Sequence, residues 1–112
     1  MIANLDKINI IKREKILNGL KYIEKLDEND NVIDKILIFG SAVRDDCTEN
    51  SDIDICYSSK YPLKSFQISK FFGDFPLFAN DICDIIPFEE VDGSLKRTIV
   101  TNGITVYEYT KN

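Results

Sequence analysis

Between Asn9 and Glu28 the apolar residues Ile16, Leu17, Leu20, Ile23 and Leu26 return at steps of three and four among lysines and glutamates, a spacing that predicts an amphipathic helix over about 9–28. The stretch DENDNVID follows. Its Asp27, Asn29 and Asn31 imitate the opening of a calcium loop, but Val32 stands where that loop needs glycine and Ile38 where it needs glutamate. It therefore reads as a polar connection from helix to strand. DKILIFG, rich in Ile and stopping at Gly40, predicts a central strand that turns sharply, and DIDICY predicts a second strand. Pro62 opens PLKSFQISKFF, whose Leu63, Phe66, Ile68 and Phe71 fit a helix with proline in its first turn and Gly73 at its end. DICDIIPF, closed by Pro87, predicts a third strand. SLKRTIVTNG predicts a helix capped by Ser94 and ended by Gly103, and ITVYEY a last strand.

Helices and strands interleaved in this way predict an α/β (α+β) two-layer sandwich, with a small mixed sheet of about four strands covered by helices. A chain of 112 residues with 44% apolar content is enough for one core, so the expectation is a single domain over 1–112. The net charge is -5 and the basic residues are scattered, which argues against direct DNA binding. The histidine count is 0, which removes Ser-His-Asp and Cys-His nucleophile systems and most zinc sites and leaves oxygen-liganded metals. Cys47, Cys56 and Cys83 match no Cys-x-x-Cys pair and read as reduced, buried small hydrophobes. Neither a secretory signal nor an apolar run of the ~20 residues that cross a bilayer is visible, so a soluble cytoplasmic protein is expected.

The chemistry concentrates in IFGSAVRDDCTENSDIDICY. Residues two apart on a strand share a face, so Asp52 and Asp54 point together while Ile53 and Ile55 face the core. Two carboxylates held close repel unless a cation lies between them, and Mg2+ suits hard oxygen ligands completed by water and phosphate. Asp84 interrupts another apolar run and reaches the same place if its strand neighbours DIDIC; three carboxylates suffice for two metal ions. Gly40 lets backbone approach an anion, Ser41 offers a hydroxyl and an N–H to phosphate, and Arg44 can pair with the same oxygens. The bland alternatives are a water-facing pair of aspartates on an edge strand, a helix-capping Ser41 and an Arg44 engaged in a surface ion pair. Lys96 and Arg97 read as a solvated helix face, and Tyr57, Tyr61, Tyr107 and Tyr109 as packing residues, with a tyrosine hydroxyl also open to self-modification.

Gly40-Ser41, ten residues, Asp52-Ile53-Asp54 and a later Asp84 resemble the minimal nucleotidyltransferase (MNT) family of the polymerase-beta-like superfamily. With each fixed residue type at roughly one in fifteen, a random chain of this length matches about twice in a thousand. The resemblance covers about Ile33 to Tyr107, including the closing LKRTIVTNGITVYE. It implies magnesium-dependent transfer of AMP from ATP to an acceptor hydroxyl. Asp52, Asp54 and Asp84 would be metal ligands and catalytic residues, Asp84 also helping to deprotonate the acceptor, with Gly40, Ser41 and Arg44 facing the triphosphate. It also implies an antitoxin role beside a helical HEPN toxin whose tyrosine is adenylylated, in a homo- or hetero-oligomer. The chain departs from many relatives in placing Asp45 and Asp46, not glycine, after the arginine. That acidic pair opens a second reading, a catalytically idle module that neutralises its partner by contact.

Overall fold

The computed structural model describes residues 1–110. Helix α1 spans Ile10–Asp30, with the Asn9 side chain accepting the Ile11 N–H at 3.0 Å at its start and Asn31, at φ 53, closing it in the left-handed region. Ile16, Leu20 and Ile23 are fully buried on its inner face. Gly19 belongs to that face because a methyl group there would overlap the ring of Phe75. The helix runs past the expected boundary. Asp27 to Asp30 are helical, not part of a loop, because the buried Asp27 carboxylate satisfies the chain that leaves the helix: Oδ1 accepts the N–H groups of Val32 (2.8 Å) and Ile33 (3.2 Å), and Oδ2 accepts the Tyr107 hydroxyl (2.8 Å).

Four strands follow, β1 (Ile33–Phe39), β2 (Ile53–Ser59), β3 (Cys83–Pro87) and β4 (Ile104–Glu108), in the spatial order β3-β2-β1-β4. Strand β1 pairs antiparallel with β2 and β4, and β2 pairs parallel with β3, so the sheet is mixed as the alternation of elements predicts. A parallel pair needs a long crossover. Here it is made by α2 (Ser65–Phe72) and α3 (Phe75–Ala79). Pro62 lies ahead of α2 instead of in its first turn, and the helix starts where the Gln67 side chain accepts the Lys64 N–H at 2.9 Å. The proline that does open a helix is Pro76, in the short α3 that the periodicity missed.

The core is built on both faces of the sheet. Ile36, Ile38, Ile53, Ile55 and Tyr57 pack with α1, Phe71, Phe72 and Phe75, and the Tyr57 and Phe72 rings stack at 4.4 Å. On the opposite face Phe39 and Cys56 pack with Val91 and with Ile99 of α4 (Gly93–Asn102), so one helix covers part of the second face. Ser94 falls inside α4, whose cap is Asp92, followed by Gly93 at φ 59; Gly103 ends the helix as expected. Cys47 and Cys56 are buried, Cys83 is half-buried, and all three are free thiols. Burial pushes the Cys56 thiol up to about 11. Among the described residues no helix is long and apolar enough to cross a membrane.

Replacing Asp27 by alanine strands two backbone N–H groups and a buried hydroxyl. We expect a loss of about 2–4 kcal/mol in urea unfolding, against about 1 kcal/mol for Tyr107→Phe, which removes only one of those bonds.

Candidate active site

Strand β1 ends at Gly40, which takes φ +73, and the chain makes a tight 3-10 turn over Gly40–Val43. The positive φ favours glycine. The same position faces Asp54 so closely that a methyl group on Gly40 would overlap the Asp54 carboxylate. The turn and the carboxylate are thus packed as one unit at the end of the sheet.

The pairing of β2 with β3 supplies the second element. In the parallel register Asp54 is the partner of Asp84, with Ile53 beside Cys83 and Ile55 beside Ile85. Alternation then puts Ile53 and Ile55 in the core at 0% exposure and sends Asp54 and Asp84 to the face that carries α4. Asp52 stands just ahead of β2 and is exposed, so it joins the site from a loop and not from the strand. All six predicted residues meet: Gly40, Ser41, Arg44, Asp52, Asp54 and Asp84 line one open cleft of about 540 Å³. Phe39, Ser51, Leu95 and Thr98 complete it. The last two were not anticipated; their spacing of three on α4 puts them on one helical face. A larger groove of about 710 Å³ runs along α1 between Lys21, Lys25 and Lys70, but it holds none of these carboxylates.

Desolvation and the neighbouring charges of Asp84 and Asp52 raise Asp54 above the ordinary carboxylate value, with Arg44 opposing them and a hydrogen bond that protonated Asp54 donates to Asp84 adding to the rise. Asp54 is the half-buried member of the trio, and Asp52 and Asp84 are exposed. Among the described residues no three acidic, histidine or cysteine side chains form a ready-made metal cage. The donor set nevertheless fits a hard divalent cation: the candidate ligands that line the cleft are carboxylate and hydroxyl oxygens, Asp54 is raised by burial and by the charges of Asp84 and Asp52, and Mg2+ is ordinarily held by one or two carboxylates with water and phosphate filling the rest. Arg44 lines the cleft while its Nε donates to Asp46 Oδ1 at 3.0 Å, so it is both a cleft cation and a surface ion pair. Lys96 stands over the Phe88 ring at 5.3 Å and, like Arg97, is exposed and outside the cleft.

The sequence profile of the family described as polymerase beta, nucleotidyltransferase matches residues 21–112. No curated protein matches the chain. Among solved structures, the toxin-antitoxin MntA-HepT contains a chain 22% identical, with a TM-score of 0.59 over 83% of this chain and 72% of that one. A toxin-antitoxin with AMP-PNP gives 23% identity and a TM-score of 0.65 over 82% and 74%. A tri-AMPylated Shewanella oneidensis HEPN toxin in complex with MNT antitoxin gives 22% identity and a TM-score of 0.59 over 85% and 73%. At these identities the likeness describes the fold.

Because the folded-state pKa of Asp54 lies above the ordinary 3.8, its ionised form costs the fold stability at neutral pH, and that cost disappears below the ordinary value, where both folded and unfolded chains are protonated. In the absence of divalent ions, Asp54→Asn is therefore expected to melt at a higher temperature than the native chain at pH 7. A melting series run down to about pH 3.5 should show the gap closing.

Proposed function

The chain belongs to the polymerase beta nucleotidyltransferase family, and from that membership we propose that it moves AMP from ATP, with Mg2+, to an acceptor hydroxyl, a tyrosine of a HEPN toxin for which it is the antitoxin. The observation that carries this reading is the pairing of Asp54 with Asp84 beside the Gly40–Val43 turn, with Asp52 in the same cleft. The partner and the acceptor are supported by the folds it resembles, one solved with AMP-PNP and one holding a tri-AMPylated HEPN toxin.

Asp52, Asp54 and Asp84 would hold the metal, which when bound neutralises the carboxylates and the phosphates brought against them. Gly40 lets the turn close against Asp54, Ser41 donates to the triphosphate oxygens from hydroxyl and backbone, and Arg44 supplies a cation lining the cleft. The acceptor oxygen attacks the α-phosphorus in line and gives its proton to Asp84, and the bond to pyrophosphate breaks. Leu95 and Thr98 wall the cleft on the α4 side, so the acceptor approaches from its open mouth.

The second reading, a module that neutralises its partner by contact alone, is favoured by one contact. The Arg44 guanidinium that would meet phosphate is bonded to Asp46. Transfer of label from α-labelled ATP to a co-purified HEPN partner separates the two. Label should appear only with Mg2+, on a tyrosine, and fall on the order of 100-fold or more in Asp52→Ala/Asp54→Ala. Undiminished transfer in that variant sinks the proposed site. Tight toxin binding and neutralisation with no label at all would establish the contact reading.

A further inference from the structure

The start of α1 reaches the turn bearing Gly40, Ser41 and Arg44 and the segments that lead to Asp52 and Asp84, although the hydrophobic pattern identifies it only as the start of a surface helix. The Asn9 N–H donates to the Ala42 carbonyl at 2.7 Å and its Nδ2 to the Arg44 carbonyl at 2.8 Å, which pins the turn bearing Gly40, Ser41 and Arg44. Lys12, one turn further, is at 0% exposure. Its ammonium donates to the Glu49 carbonyl at 3.0 Å and to Asp81 Oδ2 at 2.6 Å. Glu49 lies three residues ahead of Asp52, and Asp81 three ahead of Asp84. Asp81 passes the tie onward: its Oδ1 accepts the Ile82 N–H at 2.8 Å, and the Ile82 carbonyl accepts the Ile53 N–H at 2.9 Å, at the foot of the β2–β3 pair.

This arrangement matters because the sheet does not place Asp52. The strand ladder sets Asp54 against Asp84, whereas Asp52 precedes β2 and lies outside the ladder. The loop that delivers it is fixed to the turn ahead of β3 through one buried ammonium. A buried charge pair is a costly way to stabilise a fold, since apolar side chains of similar volume often do as well or better. An ammonium with two acceptors has directions that an apolar group lacks, and here the two acceptors lead to the two exposed aspartates of the cleft. Asn9 and Lys12 also lie ahead of the residues, 21–112, that match the family profile.

We propose that Lys12 is a positioning residue for nucleotidyl transfer, its buried ammonium setting the separation of Asp52 from the Asp54–Asp84 pair by anchoring the two segments that lead into them. The inference rests on the magnesium-nucleotide reading of the cleft. Lys15 supports the same anchor, with Nζ at 3.5 Å from Asp81 Oδ2 and donating to the Asn80 carbonyl at 2.9 Å. Burial would raise Asp81, but the Lys12 hydrogen bond, the Ile82 N–H and the charges of Lys12 and Lys15 together hold it below the ordinary carboxylate value, so Asp81 is ionised across the neutral range.

The test uses the full chain carrying Lys12→Met and Asp81→Asn together, which removes both charges while leaving an oxygen for the Ile82 N–H. Thermal melts at fixed ATP give the Mg2+ concentration for half of the maximal rise in Tm, and label transfer gives kcat and KM for ATP. The expected result is a cooperatively folded variant whose Mg2+ midpoint rises about 10-fold or more and whose kcat falls about 10-fold, with KM changing by less than about 3-fold. A merely structural role lowers Tm with and without Mg2+ alike and leaves the midpoint where it was, so a folded variant with a midpoint within about twofold of the native chain overturns the proposal. Asp81→Asn alone, which leaves Lys12 on the Glu49 carbonyl, carries the same test if the double variant fails to fold. A rise of several-fold in its midpoint supports the role, and an unchanged midpoint overturns it. A native chain with no Mg2+-dependent melting shift in ATP would overturn the nucleotide reading itself, and the positioning role with it.

Discussion

Two carboxylates placed directly opposite one another on adjacent parallel strands repel, and the fold makes no attempt to separate Asp54 from Asp84. It could have done so by shifting β3 one residue, but that slip would also take Ile85 from the α1-side cluster and Ile86 from the α4-side cluster and turn Asp84 toward the apolar α1 face. The register that buries Ile53 and Ile55 is therefore the one that sets the acidic pair together. Hydrophobic burial on one face holds an electrostatic conflict on the other, and Asp54, desolvated first and then opposed by Asp84 and Asp52, has its carboxyl raised above its ordinary range. Under the proposed function, unbalanced negative charge of this kind would suit a cation that arrives with its own phosphate ligands, which a preformed cage of protein groups would exclude.

The rest of the architecture can be read as support for that end of the sheet. Gly40 is required twice over, by its positive φ and by the carboxylate that fills the space where a side chain would sit. Helix α4 lies over the face that carries the aspartates and contributes Leu95 and Thr98 to the cleft. Helix α1 does the opposite from the far face: its middle supplies Ile16, Leu20 and Ile23 to the core, and its two ends do polar work, with Asn9 and Lys12 tying the site segments and Asp27 collecting the chain that enters β1. One amphipathic helix thus carries packing in the centre and hydrogen bonding at both termini.

Much of this was legible in the amino-acid sequence, for local reasons. Alternation at Asp54, glycine at a strand end and an aspartate inside an apolar run are patterns of near neighbours, and they pointed to six residues that line one cleft, although Asp52 precedes the strand and Leu95 and Thr98 on α4 were missed. What failed was set at a distance. Ser94 looks like a cap, yet the chain reaches α4 through Gly93 in a left-handed conformation and the cap falls on Asp92. Pro62 looks like the first turn of a helix, whereas Pro76 opens one in α3, a helix too short to show periodicity. Asp27 resembled a loop residue because its partners include Tyr107, far along the chain. Lys12 carried no signal at all: a lysine among lysines on an amphipathic helix is solvated unless an acceptor from elsewhere in the chain meets it, and Glu49 and Asp81 do.

The central claim is that a divalent ion bound with nucleotide relieves the repulsion within the aspartate cluster, and proton release measures that relief directly. Calorimetric titration of Mg2+ into the chain with a non-cleavable ATP analogue, over a series of pH values below 7 in buffers of different ionisation enthalpy, gives the number of protons expelled on binding, and subtracting the same titration of Asp54→Asn removes those that leave the nucleotide itself. The native chain is expected to expel more protons than Asp54→Asn, by an excess that diminishes toward pH 7. Equal proton release and equal affinity in the two chains would contradict the claim.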